Sequence, residues 1–461
     1  MKLFPIILAA GKGTRMYSEL PKVLHTIGGQ PMLQHVIASC QTLLSTSNSL
    51  GNITVVYGHG GELVKETIAN DHINWVVQAE QKGTGHAVDQ ARDLMDDDCV
   101  VIIAYGDVPL IKADTLQALV DALHHADLTV LTTVLDDPSG YGRIVRNEQG
   151  TIQGITEDKD ADAKTKKIAE INTGFIAAKG KDLKRWLSLL SPDNAQGEYY
   201  LTDCIASAVA EGGNVDAVRC DNAMEVQGVN DRTQQAQLER EYQKEQANKL
   251  MLAGVSLADP ARIDIRGKLH VGKDVFIDVN TIFTGEVTLG NNVTIEAGCV
   301  ITASIIADNA TIKPHSVLEN AYVGEHCHVG PFARLRPNAV LKANAKVGNF
   351  VEIKKSIIGE GSKVSHLSYI GDTKMGSNVN IGAGTITCNY DGANKFETII
   401  GNDAFIGSDS QLVAPVEIGD GATIGAGSTI TKNTPANELT FSRAKQVTIK
   451  GWKRPVKQTK K

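Results

Sequence analysis

The second half of the chain repeats itself every six residues. Apolar side chains fall at Val323, Val329, Leu335, Leu341, Val347 and Ile353, then again at Ile400, Ile406, Leu412, Ile418, Ile424 and Ile430. Two places earlier stands a small residue, as at Ala333, Ala339, Ala345, Ala404, Ser410, Ala422 and Ser428. Glycine often follows, at Gly324, Gly330, Gly348, Gly401, Gly407, Gly419 and Gly425. An α-helix repeats at about 3.6 residues and a strand at 2, so neither yields this period. Short strands joined by corners, three to a coil, do. The pattern predicts a narrow prism with the large side chain inside and the small one near the corner. Glycine then serves where a positive φ or a close approach is required. Each coil covers its ends only against its neighbours, so many must stack. The repeat runs from about Gly267 to Thr431, with five-residue steps near Ile306, Val323 and Ile358. It fails most clearly between Ile381 and Ile400. Breaks in a regular scaffold are where function is expected.

Composition narrows the function classes. At 461 residues the chain has room for more than one core. A net charge of -7 excludes a general nucleic-acid binder, which would be basic. No run approaches the roughly 20 apolar residues of a membrane span. The 7 cysteines (Cys40, Cys99, Cys204, Cys220, Cys299, Cys327, Cys388) are odd in number and contain no CxxC pair. That usage fits a cytoplasmic, reducing setting without structural zinc. The opening Met1–Ala10 has the look of a signal peptide, but its apolar run is short and leads into Gly11-Lys12-Gly13. It reads as a buried first strand.

Residues 1–232 alternate strands and helices. Strands are expected at Leu3–Ala10, Ile53–Tyr57, Trp75–Gln78, Val100–Ala104 and Leu128–Leu135, with a helix from Pro31 through Leu44. The alternation predicts an α/β, Rossmann-like domain with a mostly parallel sheet. Residues 233–253 are polar, without Gly or Pro, and read as a linking helix. Residues 254–461 form the β domain, ending in a basic tail with Lys450, Lys453, Arg454, Lys457, Lys460 and Lys461.

The first strand runs into Leu8-Ala9-Ala10-Gly11-Lys12-Gly13-Thr14-Arg15-Met16, followed by Pro21-Lys22. Glycines after a parallel strand let backbone N–H groups approach a phosphate chain, and Lys or Arg neutralises it. There is no Gly-Lys-Ser/Thr for a Walker loop, and Met16 replaces the third glycine of a dinucleotide fingerprint. The whole string resembles the sugar-1-phosphate nucleotidyltransferases. Further matches follow in order: Gln78, Gly83-Thr84, Tyr105-Gly106-Asp107, Tyr141-Gly142-Arg143, Glu157, Asn172-Thr173-Gly174 and Val229-Asn230. The resemblance implies that Leu8, Ala9, Ala10, Gly11, Lys22, Gln78, Gly83, Thr84, Tyr105, Gly106, Asp107, Gly142, Glu157, Asn172 and Asn230 bind UTP and the UDP-sugar. It makes Arg15 and Lys22 catalytic cations. Asp107 and Asn230, hard oxygen donors, would hold Mg²⁺.

The broken repeat contains Asn380 through Lys395, including Cys388-Asn389-Tyr390-Asp391-Gly392. With the apolar positions inward, Arg336 and Lys354 are exposed and fall on adjacent coils of one face, a ready phosphate site. His366 is expected two sides further round, out of their reach within one chain unless a neighbouring subunit or the step near Ile358 brings it closer. An exposed imidazole near a phosphate site is a plausible general base. The string Ser365-His366-Leu367-Ser368-Tyr369-Ile370-Gly371-Asp372, the Asn380–Lys395 segment and the end Gly451-Trp452-Lys453-Arg454-Pro455 are similar to the bifunctional N-acetylglucosamine-1-phosphate uridyltransferase/glucosamine-1-phosphate acetyltransferases. That resemblance covers nearly all of the chain.

It implies a left-handed parallel β-helix that forms a homotrimer, with His366 as catalytic base. Arg336, Lys354, Tyr369 and Asn380 would hold glucosamine 1-phosphate. Ala383, Asn389, Tyr390, Ser408, Ala426 and Arg443 would line the acetyl-CoA site, with Lys395 in the same loop. The product, made from N-acetylglucosamine 1-phosphate and UTP, would feed peptidoglycan, cell-wall and lipid A synthesis. Two other readings stand beside it. One is a single-function sugar-1-phosphate nucleotidyltransferase with a structural or regulatory β-helix. The other is a non-catalytic binding scaffold built on the same pair of folds.

Overall fold

The computed structural model describes residues 2–457 except residues 50 and 59, so Lys460 and Lys461 of the basic tail lie outside it. The chain divides into two compact units, Met1–Glu245 and Gln246–Lys461.

The first unit is built on one sheet. Its strands run in the spatial order Val215–Arg219, Leu128–Val134, Glu170–Lys179, Val100–Tyr105, Leu3–Ala9, Ile53–Tyr57, Ile73–Val77. The pairings are parallel except those of Glu170–Lys179, which is antiparallel to both neighbours. A hairpin, Arg143–Arg146 with Ile152–Thr156, branches from that strand. Every residue of Leu3–Ala9 is buried, as helix-covered parallel strands require. Helix Met32–Thr46 buries Leu33, Val36, Ile37, Cys40, Leu43 and Leu44 against one face. The chain leaves Leu3–Ala9 on one side and returns through Val100–Tyr105 on the other. The carboxyl ends of these two strands therefore flank a switch point, where open α/β sheets bind ligands. The polar segment after Asp231 is helical over Arg232–Leu252.

The second unit is a parallel β-helix. One coil runs His328–Val329, Arg334–Leu335, Val340–Leu341, and the next begins at Lys346, directly above His328. The sixfold apolar positions are buried from Val323 through Ile353 and from Ile400 through Ile430. One such side chain contributes about 2 kcal/mol. Ordering the backbone costs about 1–2 kcal/mol per residue. A lone coil therefore does not hold, and the stack supplies the backbone hydrogen bonds above and below each strand.

Two expectations are refined. Most glycines after the apolar position serve close approach rather than positive φ. A Cβ on Gly348 would lie 2.0 Å from the Ser365 carbonyl oxygen of the next coil, and one on Gly407 would lie 2.5 Å from the Ala426 nitrogen. The left-handed corners are filled instead by residues such as Asn309, Asn338, Asn344 and Asn378, whose short amides tolerate that region. The break is also narrower than the spacing implied. Ile386–Cys388 is still a strand in register with Tyr369 below and Gln411 above. Only residues 389–397 leave the prism, before Thr398–Ile400 rejoins it.

Candidate functional site

In the first unit, the carboxyl ends of the two central strands open on a cleft of about 280 Å³. Leu8, Ala9, Ala10, Gly11, Lys22, Gln78, Gly83, Thr84, Tyr105 and Asp107 line it, together with Gln81 and Glu198. Gly106 sits behind them, its N–H bonded to the Leu8 carbonyl at 2.9 Å. Gly13 adopts φ 60°, and a Cβ there would stand 2.7 Å from Lys22 Cβ, so only glycine lets Lys22 lie against the loop. The Lys22 ammonium pairs with Asp107 and lies 3.4 Å from Asn230 Oδ1. Both side chains of the ion pair are less than one-fifth exposed. The Val229 N–H bonds to the Asp107 carbonyl at 2.9 Å, so the backbone fixes Asn230 beside Asp107. Arg15 lies exposed on the turn Thr14–Met16.

Gly142, Glu157 and Asn172 form a second cluster beside this cleft. The Asn172 N–H reaches the Gly142 carbonyl at 2.8 Å, and Asn172 Oδ1 accepts from Gly174 N at 3.0 Å. A Cβ on Gly142 would lie 3.4 Å from both Glu157 carboxylate oxygens. Burial pushes the Glu157 carboxyl up from its ordinary value, opposed by a hydrogen bond from Thr202. Tyr105 joins the two clusters: it lines the cleft, and Gly174 at φ 92° leaves its ring room that a Cβ would occupy. Burial raises the Tyr105 hydroxyl as well, with Glu157 and Asp107 adding to the shift.

In the second unit, Arg334 pairs in register with Glu352, and Glu352 with Tyr369. The same register carries Lys354 beneath Gly371, and the Arg336 N–H bonds to the Ile353 carbonyl at 2.8 Å, so Arg336 lies under Lys354. Arg336 pairs with Glu352 at 2.9 Å. Lys395 reaches over from the 389–397 excursion and, with Arg336, pushes the Lys354 ammonium below its ordinary value. Like charges held this close favour an anion between them. The Tyr369 hydroxyl lies within 2.4 Å of where a Gly371 Cβ would stand, so the ring leans over the same column.

A second column rises along the preceding corner. Asn349 lies under His366, and the registers continue this column through Ala383, Ser408 and Ala426. The Arg443 side chain lies over Gly425 and Gly427 at its far end. His366 is exposed, and its Nδ1 is 2.9 Å from Asn349 Oδ1. Facing an amide oxygen, Nδ1 carries the proton and Nε2 keeps a free lone pair.

The registers keep one whole strand of the coil between His366 and the cations. Two sides forward around a three-sided coil is one side back, so His366 and Lys354 stand at the two edges of the face formed by Tyr369–Gly371. Asn380 is on a different face from Arg336 and Lys354, in register with Lys363 and Phe405. Asn389 is buried, its amide donating to Asp372 at 2.5 Å, whereas Tyr390 is exposed and donates to the Gly392 carbonyl. The sequence pattern assigned no role to Asn349 or to Glu352, the partner of Arg336. The coil length of 17 residues, counted back from His366, would have found Asn349.

Residues 5–153 match the MobA-like NTP transferase domain. Residues 265–341 match the domain described as the GMPPB C-terminal domain, and residues 397–432 match six repeats of the bacterial transferase hexapeptide. The chain thus carries a nucleotidyltransferase domain followed by transferase hexapeptide repeats. Among solved structures it is similar to a UDP-glucose pyrophosphorylase complexed with UDP-glucose, at 15% identity and TM-score 0.43, over 53% of this chain and 100% of that one. It is also similar to a protein from Bacillus anthracis assigned as a glucose-1-phosphate thymidylyltransferase, in complex with a sucrose. That match has 19% identity and TM-score 0.41, over 51% of this chain and 94% of that one. Among the described residues no helix is long and apolar enough to cross a membrane.

Proposed function

We propose that this chain is a bifunctional enzyme that makes UDP-N-acetylglucosamine. The second unit would transfer acetyl from acetyl-CoA to the amine of glucosamine 1-phosphate. The first would couple the resulting N-acetylglucosamine 1-phosphate to UTP and release pyrophosphate. The observation that carries this reading is that each unit sets cationic side chains on the residues the resemblance names: Lys22 in the cleft of the first, and Arg336 and Lys354 on adjacent coils of the second, with Lys395 close to Lys354. A prism that only supported its neighbour would have no reason to bring Lys354 and Lys395 together against their repulsion.

In the first unit, a sugar-phosphate oxygen attacks the α-phosphorus of UTP and the bond to the pyrophosphate oxygen breaks. Charge gathers on the phosphates, and Lys22 and Arg15 offset it, while loop N–H groups around Ala10 and Gly11 cradle the chain. Two hard oxygens, from Asp107 and Asn230, already converge on one cation, the Lys22 ammonium. These residues fit Mg²⁺, which takes few protein ligands and leaves the others to phosphates and water. When bound, the ion would stabilise negative charge on the triphosphate. Glu157 and Asn172 would face the sugar.

In the second unit, Arg336, Lys354 and Lys395 hold the phosphate and Tyr369 covers it. His366 Nε2 takes a proton as the amine nitrogen attacks the thioester carbonyl; the C–S bond breaks and the CoA thiolate leaves. The small side chains of Ala383, Ser408 and Ala426 leave room for an extended cofactor along their corner, toward Arg443.

A homotrimer suits this arrangement. His315, Phe332 and Phe350 stack ring on ring beside the His366 column, at 5.1 and 5.5 Å between centroids. Phe332 is 49% exposed and Phe350 and Leu367 more than half, and the three hold φ of 53°, 56° and 48°. Bulky residues in that region cost about 1–3 kcal/mol each. An apolar, strained ladder at this corner is accounted for by a second copy packing against it.

The test uses the full chain. Thiol release from acetyl-CoA is expected with glucosamine 1-phosphate and not with glucosamine, and pyrophosphate release from UTP with N-acetylglucosamine 1-phosphate. Pyrophosphate release without any thiol release would reduce the β-helix to a scaffold and contradict the two-site reading.

A further inference from the structure

We infer that Arg143 is a positioning residue for the sugar side of the first cleft: its guanidinium ties the residue before Gly142 to the residue after Glu157 and so fixes the spacing between Gly142 and Glu157. The inference rests on the nucleotidyl-transfer reading of the first unit.

Arg143 opens the strand Arg143–Arg146, one residue after Gly142. Across the hairpin it stands opposite Thr156, the residue before Glu157, and the ladder between the two strands ends at that pair. Gly142 and Glu157 therefore lie together just past the last pair. The attachment to the main sheet is narrow here as well. Arg143 meets the strand Glu170–Lys179 at Ile171, and that strand shifts its own register between Asn172 and Ile176. Backbone pairing thus leaves this end of the hairpin room to spread, and the guanidinium closes it. One terminal nitrogen donates to the Tyr141 carbonyl and the other to Asp158 Oδ1 at 3.0 Å. The two residues so gripped flank Gly142 on one side and Glu157 on the other. A planar fork makes both bonds in fixed directions, which a lysine ammonium does not.

Fold stability alone does not account for a cation in this place. Arg143 is 2% exposed, and its Nε is buried without a partner among the described residues. An unmet buried N–H costs about 1–3 kcal/mol. Replacing a buried ion pair by apolar side chains of similar volume is often neutral or stabilising. A fixed spacing of the groups on either side does account for it. The place of a Gly142 Cβ is 3.4 Å from both Glu157 carboxylate oxygens, so a small spread at this end opens the contact. Burial and then the Asp107 charge raise the Tyr141 hydroxyl, so the same turn reaches toward the Lys22–Asp107 pair. Arg146 is the contrasting case on the same strand. It forks onto Glu170 at 2.8 and 2.9 Å, fastening the hairpin to the sheet away from Gly142 and Glu157.

The experiment measures KM for N-acetylglucosamine 1-phosphate and for UTP by pyrophosphate release from the full-length chain. Arg143→Met and Asp158→Ala are each expected to raise the sugar-phosphate KM about tenfold and to leave the KM for UTP within about twofold of the wild type. The double variant should be no worse than either single one, because both break the same tie. Asp158→Asn, which keeps an oxygen to accept from the guanidinium, should recover most of the affinity that Asp158→Ala loses. Arg146→Met should leave both KM values at the wild-type level. If Asp158→Ala does not fold, Arg143→Met decides, since it removes the buried charge together with the tie. A KM raised equally for both substrates, additive losses in the double variant, or a sugar-phosphate KM raised as much by Arg146→Met overturns the inference and leaves Arg143 a structural residue. A wild type that releases no pyrophosphate would contradict the nucleotidyl-transfer reading itself, and this inference with it.

Discussion

Asn349 lies one coil below His366, and its Oδ1 faces the imidazole Nδ1 at 2.9 Å. With the Asn349 amide so oriented, Nδ1 donates to its oxygen and Nε2 is free to act as a base. Removing His366 should lower acetyl transfer by about 10²–10⁴-fold. Asn349→Ala should lower kcat by about tenfold through a mixed tautomer, with little change in the KM for glucosamine 1-phosphate. Equal loss from kcat and affinity would instead mark Asn349 as part of the sugar site.

The cation column yields a binding prediction. Lys395 depresses the Lys354 ammonium in the absence of an anion, so an anion that relieves this repulsion should bind and stabilise the fold. Inorganic phosphate is expected to raise the melting temperature of the wild type. Arg336→Ala or Lys354→Ala should weaken that response and raise KM for glucosamine 1-phosphate about 10- to 100-fold. An unchanged thermal response in both variants would place the phosphate elsewhere.

Glu157 should trade stability for function. Its carboxyl is raised by burial, so the folded state prefers the protonated form. The penalty for ionising it is present above its folded value and disappears as pH falls through that value. Glu157→Gln is therefore expected to raise the melting temperature by about 2 °C at neutral pH, to remove that part of the pH dependence, and to impair uridyl transfer. Thermal unfolding monitored against pH checks all of this but the activity; a destabilised variant would mean that the ionised carboxylate is held by partners stronger than Thr202.

Gly348 is a test of the prism itself. Its missing Cβ would meet the Ser365 carbonyl at 2.0 Å, one residue before His366. Gly348→Ala should cost about 1–3 kcal/mol of stability and displace His366 enough to reduce acetyl transfer. Chemical denaturation and thiol release together check it, and a variant as stable as the wild type would mean that the coils can part locally.

Much of this was legible in the sequence because the period of six is imposed by the prism's geometry. Val323 through Ile353 had to point inward once three short strands made a coil. The five-residue step near Ile358 was visible, but its consequence was not. Only the three-sided path shows that His366 and Lys354 flank one face. The extent of the excursion was hidden because Ile386–Cys388 keeps its register while its spacing to Ile400 does not. In the first unit the glycine loop was legible from its order of residues. The antiparallel strand Glu170–Lys179 and the hairpin beside it were not, since strand direction is set by which edge the chain returns to.

The most direct test of two independent centres uses the full-length variants Asp107→Ala and His366→Ala. Asp107→Ala should retain thiol release with glucosamine 1-phosphate and lose pyrophosphate release from UTP by about 10²-fold or more. His366→Ala should show the reverse. A mixture of the two should convert glucosamine 1-phosphate, acetyl-CoA and UTP to UDP-N-acetylglucosamine, because the intermediate made by one is consumed by the other. If either substitution abolished both half-reactions in a folded protein, or if the mixture remained inactive, the account of two separate centres would be contradicted.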